Sequence, residues 1–216
     1  MSGEAAAQAW LRDNVGAGDL AIERLERLTA LLAEENMRQN LVSAASLADA
    51  WQRHVLDSAQ LLTHVSRETS APWLDLGTGA GFPGLVIAAL TPERPVTLVE
   101  SRARRIEWLE RAAQALGLDR VRVVGQRLES VESFPAAVIS ARAFAPLDRL
   151  VALAERFSTS DTLWLLPKGR SAGQELEALR GWLHTFHVEQ SLTDPDAGVI
   201  VGRLTGKRPG RKGPKT

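Results

Sequence analysis

The sequence predicts an α/β protein: a doubly wound, mostly parallel seven-stranded sheet preceded by a helical N-terminal extension. Three observations carry that expectation. Apolar residues in the first 70 positions repeat at helical spacing. From Ala71 onward, short apolar runs alternate with amphipathic helical segments. The last two runs lie too close together to hold a crossover helix.

Taken in order, residues 18–35 (GDLAIERLERLTALLAEE) place Leu25, Leu28, Leu31 and Leu32 on one helical stripe, with Asp19 as the expected N-cap. Residues 47–65 do the same through Trp51, Val55, Ala59 and Leu62. Strands are then expected at WLDL, PVTLVE, VRVV, AAVISA, TLWLLP, HTFHVEQ and AGVIVGRL, with helices near 83–91, 102–117, 146–158 and 171–182. The linker SLTDPD makes the last two strands an antiparallel hairpin. The chain therefore divides into a helical extension over 1–70 packed on the core, a core over 71–205, and a basic disordered tail over 206–216.

Composition narrows the class. The 216 residues are 44% hydrophobic and 24% charged, as in ordinary globular proteins, and no apolar run reaches the length of a membrane span. The start lacks the basic-then-apolar pattern of a signal peptide, so a cytoplasmic protein is expected. With no cysteine, disulfides, thiolate metal sites and cysteine nucleophiles are excluded. The four histidines stand singly, and no metal is expected. Net charge is zero, yet unevenly spread. The tail from Gly206 carries Lys207, Arg208, Arg211, Lys212 and Lys215 without an acid. Setting those 5 aside leaves 21 basic against 26 acidic residues. Such a tail suits phosphates, or is merely a solubilising terminus.

The chemistry concentrates at APWLDLGTGAGFPGLVIAAL, residues 71–90. Asp75 ends the first strand, and Gly77, Gly79 and Gly81 follow at alternate positions, where the backbone must turn sharply or meet a ligand without a Cβ in the way. Phe82 and Pro83 open the next helix, a position where proline's missing donor costs nothing. The second strand ends in Glu100, whose carboxylate suits the hydroxyl protons of a ribose, so the pattern points to an adenosine-containing cofactor. A nicotinamide or flavin dinucleotide is one option, since residues 79–84 match G-x-G-x-x-G. That match begins two residues late, and the absence of tyrosine rules out a Tyr/Lys reductase pair. The other option is S-adenosylmethionine, which D-x-G-x-G-x-G followed by an acid at the end of strand two fits better. The bland reading is a tight strand-to-helix turn.

Absences limit the acceptor. Without cysteine there is no covalent thiolate route to pyrimidine carbon 5, and no Asn-Pro-Pro-Tyr-like box for exocyclic amines exists. The fourth strand ends instead in Arg142-Ala143-Phe144-Ala145, and the fifth in Lys168-Gly169. Arg142 and Lys168 put cations on the rim, and Phe144 could stack on a base. Arg53–Asp57 and His54–Ser58 are i, i+4 pairs whose simplest role is bracing one helix face.

Together, Asn40-Leu41-Val42-Ser43, Arg53-His54-Val55-Leu56-Asp57-Ser58, the glycine segment, Arg142-Ala143-Phe144-Ala145 and Lys168-Gly169 resemble the RsmG (GidB) family of ribosomal RNA methyltransferases, over about residues 36–205. The resemblance implies a class I S-adenosylmethionine methyltransferase core. It also implies guanine-N7 methylation of 16S ribosomal RNA, at guanine 527, with the RNA or the small ribosomal subunit as partner. It implies that Gly77 and Phe82 line the cofactor site, that Leu128 and Glu129 border the adenine, and that Arg142 stands beside the cofactor. Arg53, His54, Asp57 and Ser58 would shape the cofactor or RNA pocket. Departures from the family pattern are Glu100 for aspartate, an apparent extra Ala141 that shifts the register expected for Ser140, and Pro167 before Lys168. A monomer is the expected state. A small-molecule methyltransferase, or a non-catalytic RNA-binding protein on a cofactor fold, are the alternatives.

Overall fold

The computed structural model describes residues 3–66 and 71–208. Helix α1 (Gly3–Trp10) runs into a π-helical turn at Leu11–Val15, and α2 (Asp19–Asn36) follows. Next come α3 (Ala44–Ala48), a π-helical turn at Trp51–Leu56, α4 (Asp57–Ala59) and a 3-10 turn at Gln60–His64. The expected stripe on α2 is buried through Leu25, Leu28 and Leu32, with Leu31 at its margin. Asp19 is not the N-cap: Gly18 holds that position, and Asp19 pairs with Arg12 at 2.7 Å. The single helix expected over 47–65 is broken. Asp49 leaves helical geometry, and the widened turn that follows changes which side chains share a face.

The sheet begins with β1 (Trp73–Leu76) and α5 (Gly84–Leu90), then β2 (Val96–Glu100), α6 (Ala103–Ala115) and β3 (Val121–Gly125). After a 3-10 turn at Leu128–Ser130 come β4 (Val138–Ala141), α7 (Leu147–Ala154), β5 (Leu163–Lys168) and α8 (Ala172–Ala178). The chain ends with β6 (Trp182–His184), β7 (His187–Gln190) and β8 (Gly198–Lys207). Strand order is β3-β2-β1-β4-β5-β8, with β6 and β7 both on the outer edge of β8. The first five strands are parallel and β8 is antiparallel to β5. The expected hairpin forms between β7 and β8. One expected strand, HTFHVEQ, is interrupted: Phe186 crosses over Gly202, where a Cβ would lie 2.7 Å from the Phe186 Cα, so β6 and β7 become separate strands and the sheet counts eight.

Side chains alternate across β1. Trp73 faces a core shared with α2, α5 and α6, whereas Leu74 and Leu76 face one shared with α7. Both faces are apolar because helices cover both, as a parallel sheet requires. The N-terminal helices contribute Leu25, Leu28 and Val55 to the first core, so the extension packs against α5 and α6 on that face of the sheet. At the other end β8 continues through Lys207, and the Arg208 N–H donates to the Gly181 carbonyl at 2.9 Å. Residues 206–208 are therefore ordered, not part of a disordered tail, and the rest of the tail lies outside the described residues.

Candidate functional site

The turn after β1 is held from beneath. Asp75 is fully buried, and its carboxylate accepts from Ser140 Oγ (2.6 Å), from Thr78 Oγ1 and from the Gly84 N–H (3.1 Å). Ser140 in turn accepts from Trp73 Nε1 at 2.8 Å. Ser140 pairs with Asp75 in the β1–β4 ladder, which settles the register that Ala141 put in question. Burial pushes the Asp75 carboxyl up to about 6, although its three donors pull the other way. Asp75 thus organises the turn and does not reach a pocket. Gly84 is a glycine because a Cβ there would lie 2.2 Å from Leu98 and 2.9 Å from the Asp75 carboxylate.

Two cavities open beyond the carboxyl ends of the strands, where ligands of open α/β sheets sit. The first, of ≈ 420 Å³, takes Gly77 and Glu100 from β1 and β2, and Leu128 and Glu129 from the turn after β3. Four arginines, Arg102, Arg105, Arg127 and Arg149, stand around it. Glu100 is 5% exposed and already engaged. Its Oε2 accepts from the Gly79 N–H (3.1 Å), and its Oε1 from Ser101 (2.7 Å) and Arg102 (3.0 Å). A carboxylate offers about four acceptor positions, so one remains without a hydrogen bond, on Oε2, which Arg105 Nη1 faces at 3.8 Å. Sequence reasoning gave Glu100 both ribose hydroxyls; its free capacity is for one.

The second cavity, of ≈ 670 Å³, takes Arg53, His54 and Asp57 from the N-terminal helices, Arg142, Lys168 and Glu175 from the sheet and α8, and Thr193 and Asp194 from the β7–β8 connection. Arg142 is its hub. It donates to the Arg53 carbonyl (3.2 Å) and the Asp57 carboxylate (3.2 Å), lies 3.2 Å from His54 Nδ1, and sits over the Phe82 ring. His54 stacks on Phe82 with centroids 4.8 Å apart. Burial, then the Arg142 and Arg53 charges, depress the His54 imidazole to about 4, so it is neutral at pH 7. Asp57 also accepts from Thr193 at 2.8 Å, and Arg53 reaches Asp194 at 3.3 Å. The expected i, i+4 pair Arg53–Asp57 is therefore absent, whereas His54 and Ser58 do meet at that spacing, through the backbone. Arg53 and Asp57 pair with other elements, and Ser58, buried, donates to the His54 backbone carbonyl.

The structure brings most sequence-derived residues to these two cavities, with distinctions. Gly77, Glu100, Leu128 and Glu129 line the first; Arg53, His54, Asp57, Arg142 and Lys168 line the second; Phe144 lines both. Asp75, Gly79, Gly81, Phe82 and Ser58 line neither and act from behind. Lys168 is not a free rim cation, since it is bound by Glu175 at 2.8 Å and by the Ala145 carbonyl at 3.0 Å. Sequence reasoning missed Trp73, Thr78, Thr193 and Glu175, and it missed the pocket arginines. The run Ser101-Arg102-Ala103-Arg104-Arg105 directly after Glu100 could have signalled two of those. Among the described residues no group of three or more His, Asp or Glu stands ready for a metal, and no helix is long and apolar enough to cross a membrane.

Comparison with known proteins places this geometry. The family described as rRNA small subunit methyltransferase G (GidB) matches residues 21–194. A protein of Novosphingobium aromaticivorans called ribosomal RNA small subunit methyltransferase G is 62% identical over 210 residues, covering 95% of this chain and 91% of that one. Its namesake in Erythrobacter litoralis is 57% identical, covering 94% of this chain and 98% of its own. A crystal structure of a SAM dependent methyltransferase from Aquifex aeolicus shares the fold at a TM-score of 0.53 and 14% identity, covering 68% of this chain and 89% of that one. A family match over most of the chain, with relatives this similar at nearly full length, identifies the chain as a member of the rRNA small subunit methyltransferase G family.

Proposed function

We propose that the protein methylates guanine N7 in 16S ribosomal RNA, at guanine 527, drawing the methyl from S-adenosylmethionine held in the smaller cavity. The family makes it an S-adenosylmethionine-dependent ribosomal RNA methyltransferase; the acceptor atom and nucleotide are the refinement proposed. The observation that carries the reading is the pairing of two adjoining cavities, one with Glu100 at its wall and the other ringed by Arg53, Asp57 and Arg142.

The smaller cavity suits the cofactor. Glu100 keeps one acceptor for a ribose hydroxyl, and Val99, Leu128 and Leu153 offer apolar surface to an adenine. Gly77, at φ +60°, lets the turn run close to whatever lies over it. When bound, S-adenosylmethionine supplies an electrophilic methyl on sulfonium. Guanine N7 carries an exposed lone pair, so the chain has no proton to remove. Its work is to bind, orient and exclude water, and good orientation is worth roughly 7 to 11 kcal/mol of barrier in favourable systems. A neutral, buried His54 agrees with a mechanism that uses no charged general acid. Arg142, with three of its five N–H groups committed, keeps two for ligands.

The test is methyl transfer from labelled S-adenosylmethionine to deproteinised RNA and to assembled small subunits, with the product nucleotide identified by mass. N7-methylguanosine at position 527 is expected; methylation of another atom, or of small molecules alone, refutes the proposal.

A further inference from the structure

The two cavities are separated by a single stretch of chain. Ala143, Phe144, Ala145 and Pro146 line both of them. If the cofactor occupies one side and the acceptor the other, as proposed above, this wall stands between atoms that must come within roughly 3 to 3.5 Å to react. On that assignment its central side chain lies on the glycine turn that the cofactor's amino-acid arm would approach. The Phe144 ring rests on Gly77 so closely that a Cβ there would lie 2.2 Å from Cδ2 and 3.0 Å from Cε2.

The wall is fixed at its ends and loose in its middle. On one side Arg142 is bound to Asp57, His54 and the Arg53 carbonyl. On the other, Lys168 holds the Ala145 carbonyl, and Glu175 takes the Leu147 N–H at 2.8 Å. Between these anchors, among the described residues, no backbone hydrogen bond ties Ala143 or Phe144 to the fold. Ala143 has φ +52°, a left-handed conformation that residues with a Cβ rarely adopt, so the backbone there is strained and Phe144 is held by side-chain packing, against the core shared with α7 and on Gly77. Phe144 is only half-buried and lines both cavities, so its ring already borders the larger one.

We infer that Phe144 positions the acceptor base and couples the two ligands. The cofactor's arm displaces the ring from Gly77, and the ring then forms the face on which the guanine stacks in the larger cavity. Aromatic platforms for splayed-out bases are the usual means of holding single-stranded RNA. Binding is then ordered, because the platform exists only once the cofactor is in place. The inference rests on the cofactor assignment proposed above.

Two readouts test it, neither of which needs turnover. The first is fluorine NMR of protein labelled with 4-fluorophenylalanine, which gives five resonances, the Phe144 signal being identified by its absence in Phe144→Leu. Saturating S-adenosylhomocysteine, without RNA, should shift that resonance. The second is the affinity for small ribosomal subunits with and without S-adenosylhomocysteine. The native protein should bind subunits about tenfold more tightly with it. Phe144→Leu and Phe144→Ala should bind S-adenosylhomocysteine at least as well as the native protein, yet show no more than about a twofold enhancement. Phe144→Tyr, which keeps a stacking face, should restore most of it. Cofactor binding with an unmoved Phe144 resonance overturns this inference alone, as does an enhancement that survives in the leucine variant. Failure of the native protein to bind S-adenosylhomocysteine overturns the cofactor assignment with it.

Discussion

His54 offers the sharpest test of the electrostatics around the larger cavity, by way of stability against pH. Its imidazole is depressed from 6.5 to about 4 by burial and by Arg142 and Arg53. The unfolded chain therefore binds the more protons between those values, and this contribution is complete above pH 6.5 and lost as pH falls toward 4. Between pH 7 and 5 the linkage relation gives a loss of roughly 2 kcal/mol from this group. Asp75 acts in the opposite sense. Its carboxyl is raised from 3.8 to about 6, the folded chain binds the more protons in that window, and the same acidification returns roughly 1 kcal/mol. The two contributions oppose each other in the native protein. Single substitutions expose the opposed slopes. Relative to the native protein, His54→Gln should lose less stability on going from pH 7 to 5, by roughly 2 kcal/mol, and Asp75→Asn should lose more, by roughly 1 kcal/mol. Urea unfolding followed by tryptophan fluorescence at pH 5, 6 and 7 measures this directly. Parallel pH profiles for the native protein and His54→Gln would show that His54 is not held neutral, and the electrostatic account of the cavity would fail.

Four further outcomes are expected. Gly77→Ala forces a Cβ into Phe144 at φ +60° and should cost about 1 to 2 kcal/mol of stability from the backbone alone, with Phe144→Ala in the same chain relieving only the steric part. Ser140→Ala leaves Trp73 Nε1 and an Asp75 oxygen buried without partners and should lower stability by about 1 to 3 kcal/mol. Adding Trp73→Phe should recover part of that loss in the same unfolding assay. Glu100→Gln keeps one carbonyl-type acceptor for the backbone N–H groups and gives up the other oxygen. Calorimetry should show S-adenosylhomocysteine binding weakened by roughly 10- to 100-fold, the equivalent of one hydrogen bond to a charged group, with RNA affinity unchanged. Ending the chain after Arg208 removes Arg211, Lys212 and Lys215 while sparing β8. The slope of log affinity for RNA against log salt should fall by up to about 2, and an unchanged slope would show that the tail touches no phosphate.

The sheet was legible because its signal is local. Residues of β1 such as Trp73 and Leu74 alternate between two apolar faces, and SLTDPD is too short for anything but a hairpin. What failed to show in the sequence depends on contacts between distant segments. Arg53 and Asp57 have the spacing of a helical ion pair, but the π-helical turn and the competing partners Asp194 and Arg142 separate them. A carboxylate at the end of a strand reads alike whether it lines a cavity, as Glu100 does, or turns under the loop, as Asp75 does; the difference is made by Ser140, 65 residues away. Lys168 likewise reads as a rim cation until Glu175 on α8 is found beside it.

The distribution of charge between the two cavities follows from those long-range pairings, and it fits the proposed chemistry. The larger cavity is lined by three cations, Arg53, Arg142 and Lys168, and by three carboxylates, Asp57, Glu175 and Asp194. The smaller is lined by four arginines and two glutamates, and Arg102, Arg127 and Arg149 are exposed without an acid partner among the described residues. Phosphates of an RNA strand are drawn to unpaired arginines, which here stand around the smaller cavity, the one proposed for the cofactor. The larger cavity, proposed for the acceptor, is left with balanced charge. In the reaction proposed above, guanine would enter neutral and leave as N7-methylguanine with a positive charge, so a cavity with an uncompensated cation would oppose the transfer as charge develops. Asp57, Asp194 and Glu175 remove that opposition, and so does the neutrality of His54. Protonation of His54 would place a fourth cation in the lining of the larger cavity. In the proposed reaction the Arg-His-x-x-Asp-Ser element would serve the electrostatics: its aspartate pairs with Arg142, its arginine ties in the β7–β8 connection, and its histidine packs on Phe82 without charge.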